Sequence, residues 1–219
     1  PFFMQFFIKK LYNTPMKFLT YYLLLLTYLS ASTLNLSMSS SLSRLNPILA
    51  NDSASSEISD WLFNGLFKYD KNGNPTVELA KSYNFETPTK LIIKLREDVL
   101  WHDNVKLTSK DIIFTYEKII DPKVFNSIKS NFQEVQSVKA LDDYTIEVIY
   151  KNPYFKALET WMVGILPYHL LKDEKDLMTS SFNKNPIGTG SYKIKEFKQG
   201  QDIELLANDK YFEDKPKID

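Results

Sequence analysis

The spacing of apolar positions changes abruptly between residues 90 and 120. Leu91, Ile93 and Leu95 alternate with Ile92, Lys94 and Arg96, the two-residue period of a strand with one wholly apolar face. Val99 to Asn104 then interrupts the pattern as a polar turn carrying one large ring, Trp101. Beyond it Ile112, Ile113, Tyr116, Ile119 and Ile120 recur along one face of a helix. Thr108 and Asp111 stand at capping-box spacing in front of that helix. Asp121-Pro122 ends it, because the residue before proline is pushed out of the α region. The pattern predicts a strand over Leu91–Arg96 and a helix over Ser109–Ile120. They are expected to pack through Ile93, Leu95, Ile112 and Tyr116, with Trp101 buried beside them.

The same reading extends along the chain. Thr33 to Met38 alternates and predicts a first strand. Leu45-Asn46-Pro47 is a turn, and residues 51–56 cap a helix whose apolar positions are Ile58, Trp61, Leu62 and Leu66. Asp70 to Pro75 is a dense turn signal, followed by a short strand at Tyr83–Phe85. Residues 122–132 form a loop or broken helix. Gln133–Lys139 and Tyr144–Tyr150 make two strands about Leu141-Asp142-Asp143, with Tyr144, Ile146, Val148 and Tyr150 on one face. A short helix is expected at Tyr154–Trp161, and residues 177–185 read as a linker. Tyr192–Phe197 and Asp202–Ala207 are a hairpin by their turn residues.

Composition removes several function classes. The 219 residues carry 27 basic and 27 acidic side chains, so no basic field exists to hold nucleic acid. There is no cysteine, hence no disulfide, no zinc cluster and no lipobox thiol for membrane tethering. Two histidines, His102 and His169, lie in different segments without metal-ligand spacing. Gly188-Thr189-Gly190 precedes a strand rather than a helix, which favours a structural turn over a phosphate loop. Asp142-Asp143 and Asp173-Glu174 are adjacent pairs on turns without an apolar pocket to raise a pKa. No Gly-x-Ser-x-Gly elbow is present. A binding protein is therefore preferred to an enzyme, and no cofactor is expected.

Residues Pro1 to Pro15 do not fit a mature protein. Met16-Lys17, the apolar run Phe18–Leu29 and the small residues Ser30-Ala31-Ser32 read as a cleavable signal peptide. The run is short for an anchor, which needs roughly 20 residues to cross a bilayer.

The central stretch, LREDVLWHDNVKLTSKDIIFTYEKIIDP, resembles a signature of the bacterial extracellular solute-binding proteins of family 5. These are the oligopeptide-, dipeptide- and nickel-binding components of ABC importers. Asn104 stands where the family usually has glycine, and Ser109 where it often has alanine. Asn tolerates the left-handed backbone such a turn needs. Further similar motifs recur in order: Leu45-Asn46-Pro47, residues 51–55, residues 141–148, Pro186-Ile187-Gly188-Thr189-Gly190-Ser191-Tyr192, and the end from Asn208 to Asp219.

The resemblance implies an α+β chain, a discontinuous lobe like that of type II periplasmic binding proteins with an inserted, mostly antiparallel β-rich domain. The expected division is 1–32 upstream segment and signal, 33–63 and 168–219 the two parts of the lobe, and 64–167 the insertion. Family members continue into a second lobe and hold the ligand between the two, so the resemblance makes this chain an N-terminal fragment with half a site. It also implies periplasmic capture of peptides by a monomer and delivery to an inner-membrane ABC permease. The implied ligand-binding residues are Asn51, Asp52 and Ser53. The alternatives are a nickel chelate, haem or an oligosaccharide as ligand, or a membrane-anchored structural module without one.

Overall fold

A computed structural model describes residues 33–37, 41–198 and 200–218. The described residues fall into two units, residues 33–35 with 217–218 and the described residues between 36 and 216. In the first, Thr33, Leu34 and Asn35 are exposed and irregular. The second carries the fold. The strand expected over Thr33–Met38 is absent from its described part, residues 33–37. Alternation alone makes no strand without a neighbouring edge to supply hydrogen bonds. Met38 and the signal-like segment lie outside the described residues.

Helix α1 spans Ser53–Leu62. Strands β1 (Phe67–Tyr69) and β2 (Pro75–Val77) form a hairpin closed by Gly73 at φ +80°. The central sheet has the order β3-β4-β6-β5, all antiparallel, from β3 (Ala80–Thr87), β4 (Lys90–Leu95), β5 (Val135–Asp142) and β6 (Thr145–Tyr150). Leu91 pairs with Val148 and Ile93 with Ile146, so the apolar faces of β4 and β6 coincide and are fully buried. β3 is longer than the three residues expected. It pairs along the whole of β4 with two register shifts, an edge strand whose polar outer positions hid it from the pattern.

Helix α2 is Ser109–Ile120, as the spacing predicts. Asp111 Oδ2 accepts the Thr108 N–H at 2.8 Å, the return half of the capping box. Ser109 Oγ donates to the Asp142 carbonyl at 2.7 Å and ties the helix start to the β5–β6 turn. The buried stripe is broader than the apolar pattern. Phe114 and Thr115 are buried, whereas Ile120 is 39% exposed. A second layer causes this. Leu166 N–H donates to Thr115 Oγ1 at 2.8 Å, and the Phe114 ring meets Tyr168 edge-on at 5.7 Å. The helix thus lies between the sheet and the crossing segment that ends in α3 (Tyr168–Leu171).

The helix expected at Tyr154–Trp161 is reduced to turns and a 3₁₀ segment, Glu159–Trp161. Trp161 anchors it, its Nε1–H donating to Tyr150 Oη at 3.1 Å while Tyr150 donates to the Ala157 carbonyl. Residues 177–185 are no linker. Leu177, Phe182 and Asn183 are buried, and the Asn46 and Asn183 amides bond at 3.0 Å across the core. The last strands, β7 (Tyr192–Lys198) and β8 (Asp202–Ala207), form the expected hairpin.

Candidate ligand groove

Leu45-Asn46-Pro47 begins the site. Asn46 is wholly buried, and its Oδ1 accepts the Ile48 N–H at 3.1 Å while its carbonyl accepts from Leu49 and Ala50. Those bonds curl the chain so that Asn51 emerges exposed at the mouth of α1. Asp52 is the N-cap: Oδ1 accepts the Ser55 N–H at 2.8 Å and Oδ2 accepts from the Ser43 hydroxyl. Partial burial acts against its charge, but these bonds outweigh it and hold the carboxyl below the usual range. Ser53 is exposed in the first turn.

Opposite runs the loop after α2. Asn126 Nδ2 donates to the carbonyls of Ile119 and Val124 at 3.0 and 3.1 Å, capping the helix end. Its Oδ1 is buried with no donor. This cap turns the chain and pushes Phe125 into solvent, 79% exposed. Between the loop and residues 44–51 lies an open groove of about 500 Å³. Its floor is aliphatic (Ile48, Leu49, Val124), and Arg44, Asn51, Phe125 and Lys129 stand around it. Of the three residues expected to bind ligand, Asn51 lines this groove, while Asp52 and Ser53 stand outside the lining. Phe125, Arg44 and Lys129 were not legible as site residues. About seventy residues of chain, 52–121, separate the walls, and no spacing rule joins them.

The other motifs serve the frame. A Cβ on Gly188 would lie 1.7 Å from the Leu62 carbonyl oxygen, and one on Gly190 2.2 Å from that of Trp61. Gly190 N–H donates to the same Leu62 oxygen at 2.8 Å. The turn therefore sits on the carbonyl end of α1, where the helix dipole repels an anion. Thr189 Oγ1 donates to Asn64 Oδ1 at 3.0 Å, and Asn64 Nδ2 reaches Glu78 and Tyr211. Asn104, at φ +72°, turns the Trp101 loop and accepts from Lys210. Arg96 stacks over the Phe212 ring at 5.0 Å. Residues 208–213 are thereby fastened to the sheet domain.

His102 is fastened to the glycine turn. The Gly188 N–H donates to its Nδ1 at 3.2 Å, and its Nε2 lies 3.1 Å from the Gly190 carbonyl, which makes Nε2 the protonated nitrogen. Burial pushes its pKa below the ordinary value, although the Gly190 carbonyl pulls the other way. The unfolded chain thus takes up the proton first on acidification. The contribution of His102 is complete above about pH 6.5 and is lost as pH falls below it. Urea midpoints between pH 7.5 and 5.5 are expected to fall more steeply for the native chain than for His102→Gln. Equal slopes would contradict the assignment.

Among the described residues no group of three or more His, Cys, Asp or Glu side chains is placed to hold a metal ion. No described helix is long and apolar enough to cross a membrane.

Comparison with known proteins gives this frame its place. Residues 74–219 match the family model for bacterial extracellular solute-binding proteins, family 5, middle region. The chain belongs to that family. An oligopeptide-binding protein of Bacillus subtilis, AppA, is 36% identical over 184 residues, covering 80% of this chain and 33% of its own. Its solved structure with a nonapeptide superposes with a TM-score of 0.77 at 33% identity, over 83% of this chain and 37% of that one. NikZ of Campylobacter jejuni, solved with Ni(L-His), gives a TM-score of 0.78 at 36% identity, over 85% and 38%. The fold is thus that of type II periplasmic binding proteins, and the chain spans about a third of the length of these relatives.

Proposed function

We propose that this chain is the first-lobe portion of a receptor that captures short peptides outside the cytoplasm and passes them to an ABC permease. The observation that carries the reading is the groove beside Asn51, formed on a fold shared with a relative solved with a nonapeptide. Asn51 offers side-chain amide donors and an acceptor to a peptide backbone, and the aliphatic floor takes side chains of varied shape. Asp52 and Ser53 complete the loop, Asp52 chiefly by holding Asn51 in place through its cap. In this reading residues 33–63 and 168–219 form the lobe and 64–167 the insertion. Residues 16–32 direct export to the periplasm, and the receptor works as a monomer. A nickel chelate is the second reading, favoured by the likeness to the protein solved with Ni(L-His).

The groove is a single wall. A second lobe supplied by the rest of the relatives' length closes it and confers most of the affinity, because an open wall leaves the ligand's outer face hydrated. Calorimetry of this chain with a pool of di- to pentapeptides is expected to show binding no tighter than about 1 mM, roughly −4 kcal/mol. Micromolar binding by this chain alone would refute closure by a second lobe.

A further inference from the structure

The charges around the groove are one-sided. Arg44 and Lys129 both line it, and among the described residues neither makes an ion pair or a side-chain hydrogen bond. No aspartate or glutamate is in the lining. That asymmetry is local, since the whole chain carries equal numbers of acidic and basic residues. Elsewhere some lysines are paired, Lys68 with Glu213, Lys90 with Glu86 and Glu147, Lys195 with Glu204, each within 2.9 Å. Exposed ones such as Lys71, Lys81 and Lys106 make no ion pair among the described residues, but they stand outside this lining. Two cations left without partners beside a concave, partly apolar wall attract an anion from outside.

We infer that the groove recognises a carboxylate of the bound peptide, held by Arg44 and Lys129, with the adjoining residue laid against Phe125 and the Ile48–Leu49 floor. The inference rests on the peptide-receptor reading and adds to it which end chemistry the first lobe selects. A guanidinium presents a planar fork to the two carboxylate oxygens, and the Lys129 ammonium adds a point charge free to follow peptides of different length. The exposed Phe125 ring supplies apolar surface for the neighbouring side chain. Two sources of carboxylate share this chemistry, the peptide's C-terminus and an acidic side chain.

The test is a nuclear magnetic resonance titration of this chain with four probes. These are N-acetyl-trialanine with a free C-terminus, the same peptide amidated, N-acetyl-Ala-Asp-Ala amide, and inorganic phosphate. The free peptide is expected to shift the amide signals of Asn51, Phe125 and Lys129. Amidation should weaken this by about tenfold, the loss of one charge-assisted bond. Arg44→Gln and Lys129→Gln, checked by circular dichroism for an unchanged fold, should each weaken the free peptide by about threefold or more and leave the amidated peptide unchanged. Binding by the aspartyl amide equal to that of the free peptide would show that either carboxylate serves, and weaker binding that the C-terminus is preferred. Both support the inference. If free and amidated peptides bind alike, the carboxylate assignment falls while the peptide reading stands. If no peptide moves the groove signals, the carboxylate assignment falls, while the peptide reading is tested by the calorimetry above. If phosphate moves them as strongly as the free peptide, the groove is a general anion site and the assignment to peptides is overturned.

Discussion

Trp101→Ala is expected to destabilise the chain by about 3–5 kcal/mol, the range for large aromatic truncations in cores. Trp101 is among the largest fully buried side chains, 1% exposed, in a core shared with Ile93, Leu95 and Ile112. Its ring lies against His169 at 6.0 Å, and its backbone closes the turn by accepting from Asn104 and donating to Val105. Those backbone bonds survive the substitution, so the loop cannot easily collapse into the vacated volume, and the cavity penalty adds to lost burial. The indole N–H lies toward the buried Asp111 carboxyl, outside close hydrogen-bond geometry, so the loss on removing it is mainly one of burial. For a domain of this size the loss corresponds to a melting temperature lower by roughly 6–20 °C. A variant melting within a degree or two of its parent would show that the ring is not a core element.

Gly188→Ala is the second substitution of large effect, expected to cost about 3 kcal/mol or more, beyond the usual range for an inserted methyl group. The added Cβ would meet the Leu62 carbonyl oxygen at 1.7 Å, and that atom belongs to a helix end. It cannot move aside like a flexible side chain. Relief by shifting the turn would break the Gly188–His102 bonds and the Gly190 N–H bond to Leu62. Gly73 provides the comparison: its φ is positive at +80°, unlike that of Gly188, but no atom lies within 4 Å of its added Cβ. Gly73→Asn is expected to change stability by less than about 1 kcal/mol, since asparagine tolerates the left-handed region. Chemical denaturation of the two variants side by side distinguishes close approach from backbone conformation as the reason for glycine. Equal losses would contradict close approach at Gly188.

What the sequence determined by itself is local or periodic. β4, α2 with its capping box, the β7–β8 hairpin and the burial of Trp101 each follow from spacings of two to four residues, and the structure reproduces them. The glycine turn was legible as structural because a strand follows it, and Asn104 as a left-handed turn residue because few others take that backbone. The similar motifs in order along the chain indicated the family. Tertiary structure decided the rest. Phe114 and Thr115 are buried only because the segment at 164–171 crosses over α2. Asn183 is buried because Asn46, distant in sequence, satisfies its amide. A supposed linker became core by that bond, which no local pattern encodes. The groove is the clearest case. Asn51 comes from a helix mouth and Phe125 from a helix end, and each segment alone reads as an ordinary cap or turn. A hydrophobic period reports which face of one element meets the core. It carries no information on which two surface loops the folded core brings together, nor on which charges it leaves in one lining.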